Sequence, residues 1–154
     1  MDCEVQETGK AVIMIDTIGL IILLTVLAHI VEDFHLQGIM ASMKQRSWWY
    51  EQFAKVSAEQ PDRAMPDIMR KYGKDYIVVL ILHGIEWSIC VSLPALILGD
   101  ISTSWYMAVV TVIAMGLIHA AVDDMKANAR FINLWQDQLI HMAQLAVMLA
   151  IYLW

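Results

Sequence analysis

Three histidine–aspartate pairs in this chain share one spacing: His29 with Asp33, His119 with Asp123, and Asp137 with His141, each four residues apart. On an α-helix, residues four apart differ by only about 40° in direction and about 6 Å in height, so each pair lies on one face. Gln37 extends the first pair by four more, and Lys44, seven further on, returns to that face. Arg130, seven beyond Asp123, extends the second if that helix runs on. His83 is followed at three by Glu86, and His141 at three by Gln144. Imidazole nitrogens and carboxylate oxygens are ligands of Zn²⁺, Mn²⁺ and Fe²⁺. Singly, each residue reads as a packing histidine or as a carboxylate salt-bridged to Lys126 or Arg130. Together, His29, Asp33, His83, His119, Asp123, Asp137 and His141 are expected to hold a divalent metal. Zinc comes first, with manganese or iron as alternatives, as one ion or as two. A metal so held lowers the pKa of bound water to about 7, and Asp33, Asp137 or Glu86 could take the proton as the catalytic carboxylate.

Positioning these residues falls to strongly apolar elements. The chain has 154 residues, 59% hydrophobic and only 17% charged, where an average soluble domain is about a quarter charged. So short a chain cannot hide that much apolar surface in one globular core, which points to lipid. A net charge of −6 argues against nucleic acid as a partner. The two cysteines, Cys3 and Cys90, form no paired ligand spacing. The first ten residues are acidic, so no secretory signal peptide is expected, and the first apolar segment should stay in the mature protein.

Spanning a hydrocarbon core takes about 20 apolar helical residues, and four stretches qualify: 11–31, 76–98, 104–122 and 134–154. Pro94 is expected to kink the second, and Gly99 to Ser104 to form a short turn. The expected fold is all-α: a single domain, an integral membrane four-helix bundle with an added cytoplasmic interfacial amphipathic helix. That helix belongs to the segment around 40–72, where Met, Trp and Phe mix with basic residues and Pro61 and Pro66 break the chain. Lys44, Arg46, Lys55, Arg63, Arg70, Lys71 and Lys74 lie between the first two spans and none between the second and third. By the positive-inside rule, 32–75 and 123–133 are cytoplasmic and both termini periplasmic. All four site histidines then fall at one depth, toward the cytoplasmic leaflet, although the spacing did not require it. His35, Asp124 and Glu32 are off these stripes and expected to be solvated or interfacial. Asp16 lies in the outer half of the first span, and the scattered methionines are packing residues.

"AHIVEDFHLQGIMASMK" (28–44), the lone His83, "HAAVDDMK" (119–126) and "DQLIH" (137–141) resemble the family of small bacterial and phage membrane proteins called domain of unknown function 3307. The resemblance runs over almost the whole length from the first span onward. It implies a bacterial inner-membrane protein and marks His29, Asp33, Gln37, His83, His119, Asp123, Lys126, Asp137, Gln138 and His141. Glu86 rests on helical geometry alone. Gln37, Lys44, Lys126, Arg130 and Gln138 are the expected substrate contacts, the three cations because they suit an anionic head group.

Three functions compete. The first is a metal-dependent hydrolase acting on a lipid or lipid-linked substrate. The second is a metal-ion or proton transporter, although the outer halves of the spans offer few polar residues to continue a path. The third is a non-enzymatic phage or bacterial membrane interaction protein. The expected partners are membrane lipids and, beyond them, further copies of the chain.

Overall fold

Long apolar runs without interior breakers give long helices, and the computed structural model is all-helical, with no strand among the described residues. The structure describes residues 2–60, 65–99 and 104–153, with side chains from residue 14 onward. Helix α1 (Asp2–Val31) runs on into a π-helical turn, Glu32–Leu36. Three shorter helices follow: α2 (Met40–Met43), α3 (Arg46–Glu59) and α4 (Met65–Tyr72). Three long ones complete the chain: α5 (Asp75–Leu98), α6 (Trp105–Ala127) and α7 (Leu134–Leu153).

Three stretches are long and apolar enough to cross a membrane: Met14–Leu36, Met65–Leu98 and Trp105–Ala127. The expected fourth span, α7, is a helix, but Gln136, Asp137, Gln138, His141 and Gln144 leave it too polar to join them by composition. Outward faces carry Leu20, Leu23, Leu27, Leu82, Ile113, Leu117, Leu139 and Val147, all exposed. Water tolerates only limited contiguous apolar surface. The three apolar helices accordingly suggest a membrane protein.

Helix α5 packs against α1, α6 and α7, and α1 also touches α7. Their shared core is Ile21, Trp87, Val91, Ala95, Met115, Leu145, Met148 and Tyr152. The α5–α6 contact is close because glycines meet there. A Cβ on Gly84 would collide with the carbonyl oxygen of Gly116, and one on Gly116 would lie 2.9 Å from that of Gly84. Small residues let backbones approach in this way.

Local signals set the ends. Ser104 Oγ accepts from Met107 N–H at 3.4 Å to start α6. Asn133 and Gln136 form a reciprocal capping box before α7, each side chain accepting from the other's backbone N–H at 3.0 Å. Helix α6 stops at Ala127, and Arg130 takes a positive φ of 58°. The stripe expected to reach Arg130 therefore ends before it, and Arg130 is exposed.

Two further expectations change in the 40–72 segment. Pro66 lies in the first turn of α4 rather than breaking a helix, because the first turn needs no N–H from it. Pro61 lies outside the described residues, as do 100–103 of the expected turn. Amphipathicity is concentrated in α4, where Ile68 is buried while Pro66, Asp67, Arg70 and Lys71 are exposed. Asn128 ties the segment to α6: its Nδ2 donates to Lys44 O at 3.1 Å and its Oδ1 accepts from Arg46 N–H at 2.7 Å.

Candidate metal centre

The glycine contact brings two histidines together. His83 precedes Gly84 by one residue and His119 follows Gly116 by three, and their Nε2 atoms stand 3.3 Å apart. From the π-helical turn after α1, Asp33 Oδ1 lies 3.7 Å from each of these nitrogens. Asp123 Oδ2, on α6, lies 3.6 Å from His83 Nε2 and 3.9 Å from His119 Nε2. A tetrahedral zinc with ligands at about 2.0–2.1 Å sets its donors roughly 3.3–3.4 Å apart. The observed separations are at or slightly above that edge, so a small inward movement suffices.

A second group adjoins the first. The other Asp123 oxygen, Oδ1, is 3.5 Å from His141 Nε2, which is 3.3 Å from Asp137 Oδ1. All three atoms are buried without a hydrogen-bond partner. Buried polar atoms normally have one, and here the ring faces both carboxylates at ion-pair distance, an arrangement in which a protonated imidazole or a bound cation can satisfy the two charges. Asp33, His83 and His119 form one set able to hold a metal ion, and His119, Asp123 and His141 another. Asp123 belongs to both environments through its two oxygens.

Hydrogen bonds around the centre aim the rings. Gln144 Nε2 donates to Met115 O at 3.3 Å, which turns Gln144 Oε1 toward His141 Nδ1, 2.9 Å away. A proton on His141 Nδ1 satisfies Gln144 and leaves Nε2 facing Asp123 and Asp137. A ligating imidazole normally has such an outer partner. Gln144→Leu should weaken divalent-metal affinity about 10–100-fold. Competition with a chelator checks this, and unchanged affinity would show that Gln144 does not orient His141.

His29 is differently employed. Its Nδ1 accepts from Trp87 Nε1–H at 2.9 Å, so its proton is on Nε2, which donates to Gln138 Oε1 at 3.2 Å. Gln138 Nε2 passes the chain on to Asp33 Oδ2 at 3.2 Å and Asp137 Oδ2 at 3.1 Å. With both nitrogens engaged, His29 braces the carboxylates from the edge of the centre. Gln37 Nε2 donates to Asp33 Oδ1 at 3.3 Å and lies 3.2 Å from His83 Nε2.

The expected substrate cations sit differently. Lys44 is buried, with Nζ 2.5 Å from Asp123 Oδ2. Lys126 pairs with Asp137 and lies 3.9 Å from Asp123 Oδ1. Both engage the ligand carboxylates instead of waiting at a rim. Asp123 and Asp137 each pair with a lysine, whereas Asp33 is held by Gln37 and Gln138 among the histidines. Glu86 is exposed and reaches the cluster only through His83.

Glu32 corrects an expectation. It is only 2% exposed, with Oε1 3.8 Å from His83 Nδ1. The π-turn is the reason: its wider winding takes in an extra residue, so Glu32 and Asp33 both turn inward. Asp124 is half-buried and accepts from Asn128 Nδ2 at 2.8 Å, and His35 is exposed.

Sequence reasoning also missed Trp87. It is fully buried and stacks on His119 at 4.1 Å, and His119 stacks on His141 at 4.0 Å. The signal was available, since Trp87 follows His83 by four residues, the spacing of the His/Asp pairs.

Fold and site thus define an all-helical chain with three membrane-length apolar helices and buried His/Asp groups that could hold a metal ion. Compared with protein-family models, with curated proteins and with solved structures, the chain matches none.

Proposed function

We propose that the chain is a multi-pass inner-membrane protein in which α1, α5, α6 and α7 form a four-helix bundle around a two-ion His/Asp centre. We infer that the centre hydrolyses an ester or phosphoester of a lipid or lipid-linked substrate. The observation that carries the reading is the convergence of buried Asp123 Oδ1, Asp137 Oδ1 and His141 Nε2 beside the His83, His119, Asp33 and Asp123 set. In this reading α7 crosses the bilayer because its polar residues Asp137, His141 and Gln144 are buried against the other helices. Lys/Arg asymmetry orients the bundle with 32–75 and 123–133 in the cytoplasm. The motifs resembling domain of unknown function 3307 support the same bacterial or phage membrane setting.

His83, His119, Asp33 and Asp123 would hold one ion, and His141, Asp137 and Asp123 the other, zinc being the first choice for this donor set. A divalent ion there supplies hydroxide at neutral pH and polarises an ester or phosphoester oxygen. Gln37 and Gln138 each donate to one Asp33 oxygen and fix the direction of its carboxylate. Lys44 and Lys126 can exchange their aspartates for an anionic substrate oxygen. A cleft lined by Phe34, Leu134, Trp135 and Gln138 offers room for an acyl chain beside the Asp33–Gln138 contact.

One observation favours a second reading. The Lys44–Asp123 and Lys126–Asp137 pairs can lock helices together without any chemistry, as in a non-enzymatic membrane protein. Elemental analysis of detergent-purified protein decides between them, with one or two transition-metal ions per chain expected. His83→Ala and His119→Ala should each reduce the bound metal and His35→Ala should not. A folded, metal-free sample overturns the hydrolase reading. If metal is present, incubation with labelled lipid extract should release a water-soluble head group or a free acyl chain, and intact lipid would leave the scaffold.

A further inference from the structure

We propose a separate cation site on the other side of the His83 ring, formed by its Nδ1 with Glu32, Glu86 and Cys90. His83 is fully buried, and its Nε2 looks toward Asp33, His119 and Asp123 while its Nδ1 has no hydrogen-bond partner. Glu32 Oε1 is 3.8 Å from that Nδ1, and Glu32 Oε2 is a second buried atom without a partner. One donor atom each from Glu32, His83 and Glu86 lies within 4.8 Å of the others. Cys90 follows Glu86 by four residues on α5, one turn beyond this group. His83, Glu86 and Cys90 are spaced three and four along α5, so all three share the face toward the end of α1.

The surroundings call for a cation. Glu86 is exposed between exposed Leu82 and Ile89 on an apolar helix, a costly place for a charge without a partner. Among the described residues, no lysine or arginine pairs with Glu32 or Glu86. Two carboxylates, an imidazole and a thiol select a zinc-type ion over magnesium or calcium, because thiolate is a soft ligand.

Cobalt(II) titration of the full chain in detergent tests the site, with Cys3→Ser as background so that Cys90 is the one thiol. A thiolate-to-cobalt charge-transfer band should grow in the near ultraviolet as cobalt is added. Cys90→Ser should abolish the band, and Glu86→Gln should weaken its cobalt dependence by about tenfold or more. Lys44→Met with Asp123→Asn, which disables the central group without stranding the lysine, should keep the band, so failure of the two sites can be told apart. Glu86→Gln touches no core contact and retains the fold, as circular dichroism should show. Cobalt saturation without a thiolate band, or a band indifferent to Glu86→Gln, overturns the site.

Discussion

Asp123→Asn should abolish metal binding at the centre, with at least about a 100-fold loss of affinity in chelator competition. The estimate is a floor, since losing even an outer partner of a ligand costs about 10–100-fold. Asp123 offers Oδ2 to the His83–His119 side and Oδ1 to the His141 side, so one substitution strikes both donor groups. The same change leaves Lys44 buried without its carboxylate. Breaking one partner of a buried ion pair destabilises by about 3–5 kcal/mol. Metal loss and unfolding could then be confused. Lys44→Met combined with Asp123→Asn separates them by removing the stranded charge. The double variant should recover most of the thermal stability and none of the metal. Metal retained at wild-type affinity in the double variant would refute the role of Asp123.

Gly116→Leu should have the largest effect on the fold. Even a Cβ at that position would lie 2.7 Å from Ile85 Cδ1 and 2.9 Å from both Gly84 O and Ile85 Cα. Side-chain rotation can relieve the first contact, but the other two are to backbone and need α5 and α6 to separate. Overpacking typically costs about 1–3 kcal/mol and occasionally more. Here separation also pulls His83 from His119, whose rings meet because the helices do. A lower melting temperature and loss of bound metal should appear together. Gly19→Leu is the control, since a Cβ there meets nothing within 4 Å. If Gly116→Leu behaves like Gly19→Leu, the glycine contact does not set the site.

Helix periodicity made much of this legible beforehand. His119 with Asp123 and Asp137 with His141 do line one face, because a regular helix turns sequence spacing into direction. The rule fails where the helix is irregular. The π-turn at Glu32–Leu36 swings Glu32 inward against the expectation of a solvated residue. The end of α6 at Ala127 leaves Arg130 off the stripe. Hydropathy found the long helices, but α7 is polar enough that its place depends on what those polar groups face.

Roles within the cluster were another matter. Spacing treats His29, His83, His119 and His141 alike, yet His29 is tied between Trp87 and Gln138 while the other three turn Nε2 toward carboxylates. Likewise nothing in the linear order tells that Lys44 and Lys126 reach inward to Asp123 and Asp137. The amino-acid sequence determined the helices, their apolar character and which residues share a face, since these depend on neighbours within one or two turns. Only the tertiary structure decided which faces meet, which ring atoms stay free and which charges pair. Those outcomes depend on contacts between residues as far apart in the chain as Gly84 and Gly116, where two backbones approach closely enough to bring distant side chains into one buried place.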